Sequence, residues 1–402
     1  MSRAMTGPLH GYTVVDATQM IAGPLAGMLL ADMGAEVIKL EQPVGGDRFR
    51  YLGHRRGSIG AAWANVNRGK RSLVLDLAQP DAQAVALKLL ATIDVFVQNF
   101  RPGVAERLGL GEHALRAINP NLIYVSVNGF GETGPYVSRK SYDYVIQAMS
   151  GMAKLQTDPD TGRPALLRNV VIDKVTAYTA TQGILAALLA RERGMGGQHV
   201  HVSMLDVAVA FLWPDGMMQH TLQGEGITEA PHMAADYQVY PTADGYVAAL
   251  PTSNSQFPLL CAALGTQHWL EDERFATFDV RQQHATETRQ IIEDEFAKYG
   301  SDELVLLLNE HDVPAAALRD VGDVHTDPQV IHNKILVEHD RPHIGRIREP
   351  RPAVRFDATP QAIGRHAPQL DEHTDEILGE LGYSVDEIAE LRHRNLAGRR
   401  RA

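Results

Sequence analysis

An α/β fold, with a doubly wound, mostly parallel, Rossmann-like large domain and a smaller α+β domain, is what this sequence predicts, and three observations predict it. Strand-like and helix-like patterns alternate through the first third of the chain. The texture changes near residue 221. A length of 402 residues, 44% hydrophobic and 22% charged, is enough for two separate cores.

The elements follow in order. "YTVVDAT" reads as a buried strand, "GPLAGMLLADMG" as a helix with Pro early and Gly at its end, and "AEVIKLE" as a second strand. The rhythm repeats in "RSLVLDL", "PDAQAVALKLLATI", "DVFVQNF", a helical stretch from Arg107 to Ile118, and "NLIYVSV". Sheets wound this way hold their ligands beyond the carboxyl ends of the strands. Further on, "YQVYPTADGYVAAL" predicts a hairpin around a Pro/Asp/Gly turn, and helical segments follow from Gln256 to about His311. The Pro- and Arg-rich residues 341–352 read as a connector. Then "HTDEILGELG" and "SVDEIAELR" read as two short helices, the second opened by a capping box of Ser384 and Glu387. The predicted organisation is a large domain of residues 1–220 with 340–402 and a small one of residues 221–339.

Composition removes several function classes. A net charge of -11 argues against a nucleic-acid or anionic-membrane surface, since either needs a basic face. The single cysteine, Cys261, sits in the apolar run "FPLLCAALG" and reads as core packing in a reducing compartment. Neither a signal-peptide pattern nor an apolar run of about 20 residues stands out, so a cytoplasmic location without membrane contact is expected. The sequence holds no GxxxxGK[ST], HExxH, paired CxxC or GxSxG motif. Its 17 histidines look scattered, and no metal site is expected. Gly129, Gly131 and Gly134 match GxGxxG after a strand, but Pro135 follows at once where a dinucleotide fold needs a helix.

Asp173 is the most informative residue. It ends the apolar run Val170, Val171, Ile172 and precedes about 20 helix-forming residues that close at Gly194, which places its carboxylate at a helix N-terminus. There the macrodipole favours the ionised form, the form a carboxylate nucleophile needs. On position alone a helix cap is the commoner role for such a residue.

Seven segments in fixed order add to this: "AGPLAGMLLADMGAEVIKLEQPVGGD", "NRGKRSLVLDL", "VQNFRPGVAERLGLG", "SYDYVIQAMSG", "GILAALLARERGMGGQHVHVSMLD", "DVPAAALRDVGDVHTDPQV" and "APQLDEHTDEILGELGYS". Through them nearly the whole chain resembles the family III CoA-transferases, the group of formyl-CoA, carnitine-CoA and succinyl-CoA transferases related to 2-methylacyl-CoA racemases. The resemblance implies that Asp173 is the catalytic carboxylate, carrying first an acyl anhydride and then a CoA thioester. It implies an acyl-CoA donor and a carboxylate acceptor as partners, with coenzyme A and acyl-CoA as substrates and no permanently bound cofactor. It implies an interlocked homodimer. The CoA-contacting positions it implies are Ile21, Ala22, Gln42, Leu75, Asp76, Leu77, Ala78, Asn99, Phe100, Arg101, Arg107, Lys140, Ser141, Tyr142 and Asp143, with Arg107 and Lys140 the expected phosphate cations.

Departures from the pattern sharpen the reading. Ile21 and Gln42 stand where the formyl-CoA transferase carries Gln and Arg, and its glycine-rich small-domain loop has no counterpart between Gly245 and Gly265. Racemases of the group place a His before the Asp that matches Asp143; here that residue is Tyr142, which removes the second base and favours transfer. A non-catalytic acyl-CoA-binding scaffold is the other alternative, and Asp173 argues against it. Met233, Tyr237 and Tyr240, in the small domain expected to face Asp173 through residues 237–254, suggest an apolar acceptor pocket, though such residues serve equally as core.

Overall fold

Strand order is what positions the site. The computed structural model describes residues 7–158, 161–230, 232, 237–249, 252–342, 344–361 and 363–399. It divides into two compact units, Met1–Gly216 with Lys334–Ala402, and Met217–Asn333.

The first unit is built on six strands: β1 (Thr13–Asp16), β2 (Glu36–Glu41), β3 (Lys70–Val74), β4 (Val95–Gln98), β5 (Ile123–Asn128) and β6 (His199–Ser203). They pair in the order β3-β2-β1-β4-β5-β6, every pair parallel. The chain winds outward from β1 to β3, returns, and winds outward the other way from β4 to β6. Between β1 and β4, therefore, the following loops diverge and leave a crevice at the carboxyl ends.

Strands covered on both faces read as continuous apolar runs. Val14, Val37, Val95, Val97 and Val125 pack beneath α1 (Ala22–Asp32) and α4 (Val171–Ala190). Val15, Ile38, Leu73, Phe96 and Tyr124 face α2 (Pro80–Leu90), whose Pro80 takes a first-turn position where the missing N–H costs nothing. The predicted stretch from Arg107 to Ile118 is two short helices, Val104–Arg107 and Glu112–Ile118, separated at Gly109, whose φ of 70° suits glycine.

Segments far along the chain complete this unit. The helix Thr374–Glu380 lays Ile377 and Leu378 on the same core as Leu73 and Leu75. Gly398 donates its N–H to the Val74 carbonyl at 3.1 Å, and Asp76 donates to Leu396 at 2.9 Å. The exposed edge of β3 is thereby covered. The second helix, Val385–His393, carries both halves of the Ser384/Glu387 capping box. Residues 341–352, expected as a connector, instead belong largely to an antiparallel hairpin, β10 (Leu336–Arg341) with β11 (Gly345–Pro350). Arg and Pro concealed the strand because Arg346 and Arg348 alternate outward and pair with Glu338.

The second unit pairs β7 (Gln238–Pro241) and β8 (Tyr246–Ala249) as the expected hairpin, with β9 (Ala315–Ala317) beside β8. Its core gathers Tyr240, Phe257, Leu260, Cys261, Phe296 and Leu308. Cys261 is buried, and burial pushes its thiol up from the ordinary value, which suits packing rather than reactivity.

One buried polar cluster holds β1, β2 and β3 together. Asp16 accepts from Lys70 Nζ at 2.8 Å and from Lys39 Nζ at 3.3 Å, all three side chains fully buried. Lys70 also donates to the Pro24 carbonyl at 2.7 Å and to Asn67 at 2.8 Å. Burial alone would raise the Asp16 carboxyl, but the two lysines hold it well below the usual range. Burial, joined by the Lys39 charge, brings Lys70 down to about 8 despite Asp16. Removing one partner of such a set strands a buried charge. Lys70→Met should destabilise the protein by about 3–5 kcal/mol, read as a lower urea midpoint at unchanged slope. A wild-type midpoint in that variant would show that the cluster does not brace the sheet.

Candidate active site

The crevice between β1 and β4 opens into a cleft of about 370 Å³. Its walls are the loops that follow three strand ends: Gln19 to Ala22 after β1, Asn99 to Pro102 after β4, and, after β5, Gly129 to Gly131 with Val137 to Tyr142. Two of these loops are clamped reciprocally, Gln19 N–H to Asn99 Oδ1 at 2.9 Å and Asn99 Nδ2 to the Gln19 carbonyl at 2.9 Å. Met20 adopts a left-handed φ of 72°, a strained conformation for a side-chain-bearing residue. Buried Asp47 holds it there by accepting the Met20 N–H at 3.1 Å. Gly129 has its own reason to be glycine, since a Cβ would collide with the Ser141 side chain. The segment after the GxGxxG match forms a loop up to Tyr142 rather than a helix.

Asp173 lines the cleft and is its sole carboxylate among the described residues, while Arg101, Arg139 and Lys140 supply three exposed cations. Around this one cleft an acidic chain has gathered positive charge. Asp173 is in the first turn of α4 rather than capping it, because the helix starts at Val171 and Val170 takes the cap position. The helix runs to Ala190 and ends in one π-turn, Arg191–Met195, inside which Gly194 takes a φ of 83°; Gly196 then turns the chain at φ 73°.

Neighbouring residues set the electrostatics of Asp173. Its N–H donates to Asp143 Oδ2 at 3.0 Å, so Asp143 does the capping that Val170 cannot. Asp143 opens α3 (Asp143–Met149) and is held by Gln147 Nε2 at 2.5 Å; Gln147 in turn accepts the Leu167 N–H at 3.0 Å. The macrodipole was expected to keep Asp173 ionised. Instead burial, and secondarily the Asp143 charge, push its carboxyl up to about 7. At neutral pH the group is poised between its two forms.

The other residues proposed for binding divide into two groups. Ile21, Ala22, Asn99, Phe100, Arg101, Lys140, Ser141 and Tyr142 line the cleft with Asp173, whereas Asp143 is buried behind it. Gln42, Leu75, Asp76, Leu77, Ala78 and Arg107 lie outside the cleft lining, in the chain beyond the ends of β2, β3 and β4. Gln42 is exposed and donates to the Gly46 carbonyl at 3.3 Å; Leu75 is core, bridged to Ala397. Sequence reasoning missed Gln19, Met20, Asn128 and Arg139, all in loops after strand ends, the signal by which they could have been found. In the second unit Tyr240 is 1% exposed against Phe296, so it is core rather than pocket lining; Tyr237 is exposed, and Met233 lies outside the described residues. The histidines are not all scattered, since His199 and His201 converge with Glu132.

With this geometry in view, comparison with known proteins decides the lineage. The model of CoA-transferase family III matches residues 9–374. The chain belongs to that family and is a CoA-transferase. Family members similar to it include the succinate–glutarate CoA-transferase of Agrobacterium fabrum, 36% identical over 384 residues that cover 93% of this chain and 96% of that one. The human succinyl-CoA:glutarate CoA-transferase is 32% identical, covering 96% and 88%. Among solved family structures, a CAIB/BAIF family protein from Brucella suis superposes with a TM-score of 0.82 at 32% identity, covering 94% of this chain and all of that one. No helix among the described residues is long and apolar enough to cross a membrane.

Two expectations follow from the Asp173 environment. Because its folded-state value lies above the ordinary 3.8, ionisation opposes folding, and this contribution to stability falls as pH rises from about 4 to about 7. Asp173→Asn should therefore gain on wild type in urea midpoint between pH 5 and pH 8; a constant difference would place the carboxyl at its ordinary value. Asp143→Asn keeps an acceptor for the Asp173 N–H but drops the charge. It should shift the acid limb of the kcat/KM profile to lower pH, and an unmoved limb would exclude Asp143 as its cause.

Proposed function

We propose that this enzyme moves CoA from an acyl-CoA donor to a carboxylate acceptor with Asp173 as covalent carrier. The observation that supports the reading most is the one carboxylate that lines the cleft among the described residues, in a helix first turn, poised near neutrality in a cleft that three cations also line. The Asp173 carboxylate attacks the donor thioester carbonyl, and CoA thiolate leaves. The thiolate then attacks the aspartyl carbonyl of the mixed anhydride, releasing the donor acid and leaving an aspartyl-CoA thioester. The acceptor carboxylate attacks that thioester and frees the thiolate again. Attack of the thiolate on the acceptor's acyl carbonyl completes the new acyl-CoA and returns Asp173 as carboxylate. No proton is consumed across the cycle, and no redox partner enters it.

In this reading the CoA thioester end lies in the cleft and its phosphates run along the row of strand ends past Gln42, residues 75–78 and Arg107. Arg101, Arg139 and Lys140 then balance carboxylates and phosphates. The acceptor is proposed to be a small dicarboxylic acid. Relatives named for succinate, glutarate and D-citramalate support this class, as do the three cations that line the same cleft. A homodimer is part of the proposal, supported by Tyr178 and Leu189 on α4 and by Phe211 and Trp213 on α5 (Met204–Gly216), all more than 40% exposed.

Asp173→Asn separates carrier from framework, since Asn keeps the shape but cannot attack a thioester. Folded Asp173→Asn should lose CoA exchange between labelled succinyl-CoA and a panel of carboxylates by at least 10³-fold. Hydroxylamine or borohydride with donor present should modify Asp173 alone in the wild type. Undiminished exchange by the variant would exclude the carrier role, and monocarboxylates outperforming all dicarboxylates would exclude the acceptor class. Sedimentation of a folded monomer at micromolar concentration would remove the dimer.

A further inference from the structure

The outer edge of the parallel sheet holds a constellation that CoA transfer does not use. β6 reads His199-Val200-His201-Val202-Ser203, and strand alternation turns Val200 and Val202 to the core beneath α4 and both histidines to the opposite face. The register sets His199 beside Tyr124 and His201 beside Ser126 of β5. The two imidazoles lie 3.7 Å apart, centroid to centroid, tilted by 32°. From the loop after β5, Glu132 reaches back over them. Its Oε2 is 3.0 Å from His201 Nδ1 and its Oε1 is 3.5 Å from His199 Nε2.

Three donor atoms thus converge from β6 and the loop after β5, each within 4.8 Å of the others. In a tetrahedral zinc site with bonds of about 2.0–2.2 Å, neighbouring ligand atoms stand roughly 3.3–3.5 Å apart. Glu132 Oε1 already stands 3.5 Å from His199 Nε2, at that value, and side-chain rotation that brings His201 Nδ1 toward the same oxygen closes the set. Ser126 Oγ is 2.8 Å from His199 Nε2 and also bonds Glu132, a neighbour that can stay on the carboxylate once the His199 proton resides on Nδ1. Two neutral imidazoles and one carboxylate make a borderline donor set, suited to Zn²⁺ or Co²⁺ and poorly suited to Mg²⁺ or Ca²⁺. Glu132 and His199 also line a cleft of about 270 Å³ that shares Phe100, Arg101 and Asn128 with the reaction cleft. A fourth coordination position can open there.

We propose that Glu132, His199 and His201 bind one divalent transition-metal ion of the zinc class, tying the loop after β5 to the edge strand β6. This is the loop whose later residues, Lys140 to Tyr142, line the reaction cleft, so the ion stiffens one wall of that cleft without entering the chemistry. The proposal stands or falls independently of the transfer mechanism.

The test uses full-length, untagged protein stripped with a chelator. Calorimetric titration with Zn²⁺ should show one equivalent bound, and Co²⁺ should develop visible d–d bands at the same stoichiometry. His201→Ala, at a half-exposed position where folding is not at risk, should weaken Zn²⁺ at least the ~10–100-fold that loss of even an outer partner costs. Glu132→Gln and His199→Ala should do the same, while His332→Ala, an exposed position in the second unit, should bind as wild type. Hydrogen exchange of residues 129–137 should slow on adding Zn²⁺ to wild type and stay unchanged in His201→Ala. No saturable one-equivalent binding, or wild-type affinity in all three ligand variants, would overturn the site and leave an ordinary surface ion pair.

Discussion

The carboxylate of Asp16, at the end of the first strand, is the interaction on which the arrangement depends. Two lysines from the next two strands converge on it without solvent access, which locks three neighbouring strands in register on one side of the sheet's switch point. Lys39 also approaches Asp47 at 3.9 Å, and Asp47 in turn fixes Met20 in its strained conformation on the cleft wall. Charge thus passes inward from the cleft to the core as an alternation of signs that sums to zero over Asp16, Lys39, Asp47 and Lys70. Isolated buried ions are expensive, and a neutral, hydrogen-bonded set is how a sheet of apolar strands can carry them. Gly27 belongs to the same arrangement. A Cβ there would meet Asp16 Oδ2 at 3.1 Å and Lys70 Nζ at 3.3 Å, so its absence lets α1 close over the pair.

Asp173 shows how a reactive group is made from ordinary parts. Its backbone is secured by Asp143, the same residue whose charge helps raise the side chain to about 7. A nucleophile with an elevated value is a stronger base and a stronger attacker once deprotonated, at the expense of the fraction deprotonated. The balance falls near physiological pH, where neither factor is wasted. Helix position alone would have predicted the opposite shift; loss of water and, after it, the proximity of a second carboxylate outweigh the macrodipole, whose effect is a fraction of a kcal/mol to about 2 kcal/mol.

How much was legible in advance follows from where each signal lives. Strands β1 to β5 announce themselves because burial on both faces writes an apolar run into the sequence. β6 escaped notice because it is an edge strand and its histidines occupy the uncovered face. The hairpin of β10 and β11 escaped because arginines paired with Glu338 look like a linker when read singly. In the site, the loops after strand ends were foreseeable from topology, and the family resemblance named about half of the residues with which they line the cleft. Glu132 with His199 and His201 was not foreseeable, since the partners are 67 and 69 positions apart and meet only because β5 and β6 are neighbours. The Asp173 shift escaped for a related reason, since burial in the fold raises it first and the charge of Asp143, 30 residues upstream, adds to that.

The covering of β3 by residues near 398 has a consequence for synthesis. The strand leaves the ribosome early, with one row of peptide groups unpaired and with Leu73 and Leu75 lacking their Ile377 and Leu378 neighbours, while more than three hundred residues are still to be translated. Until Ile377, Leu378 and the stretch reaching Gly398 emerge, that margin can add a strand from any passing chain, including a sibling on the same polysome. A nascent molecule therefore spends most of its production time with its stickiest border open.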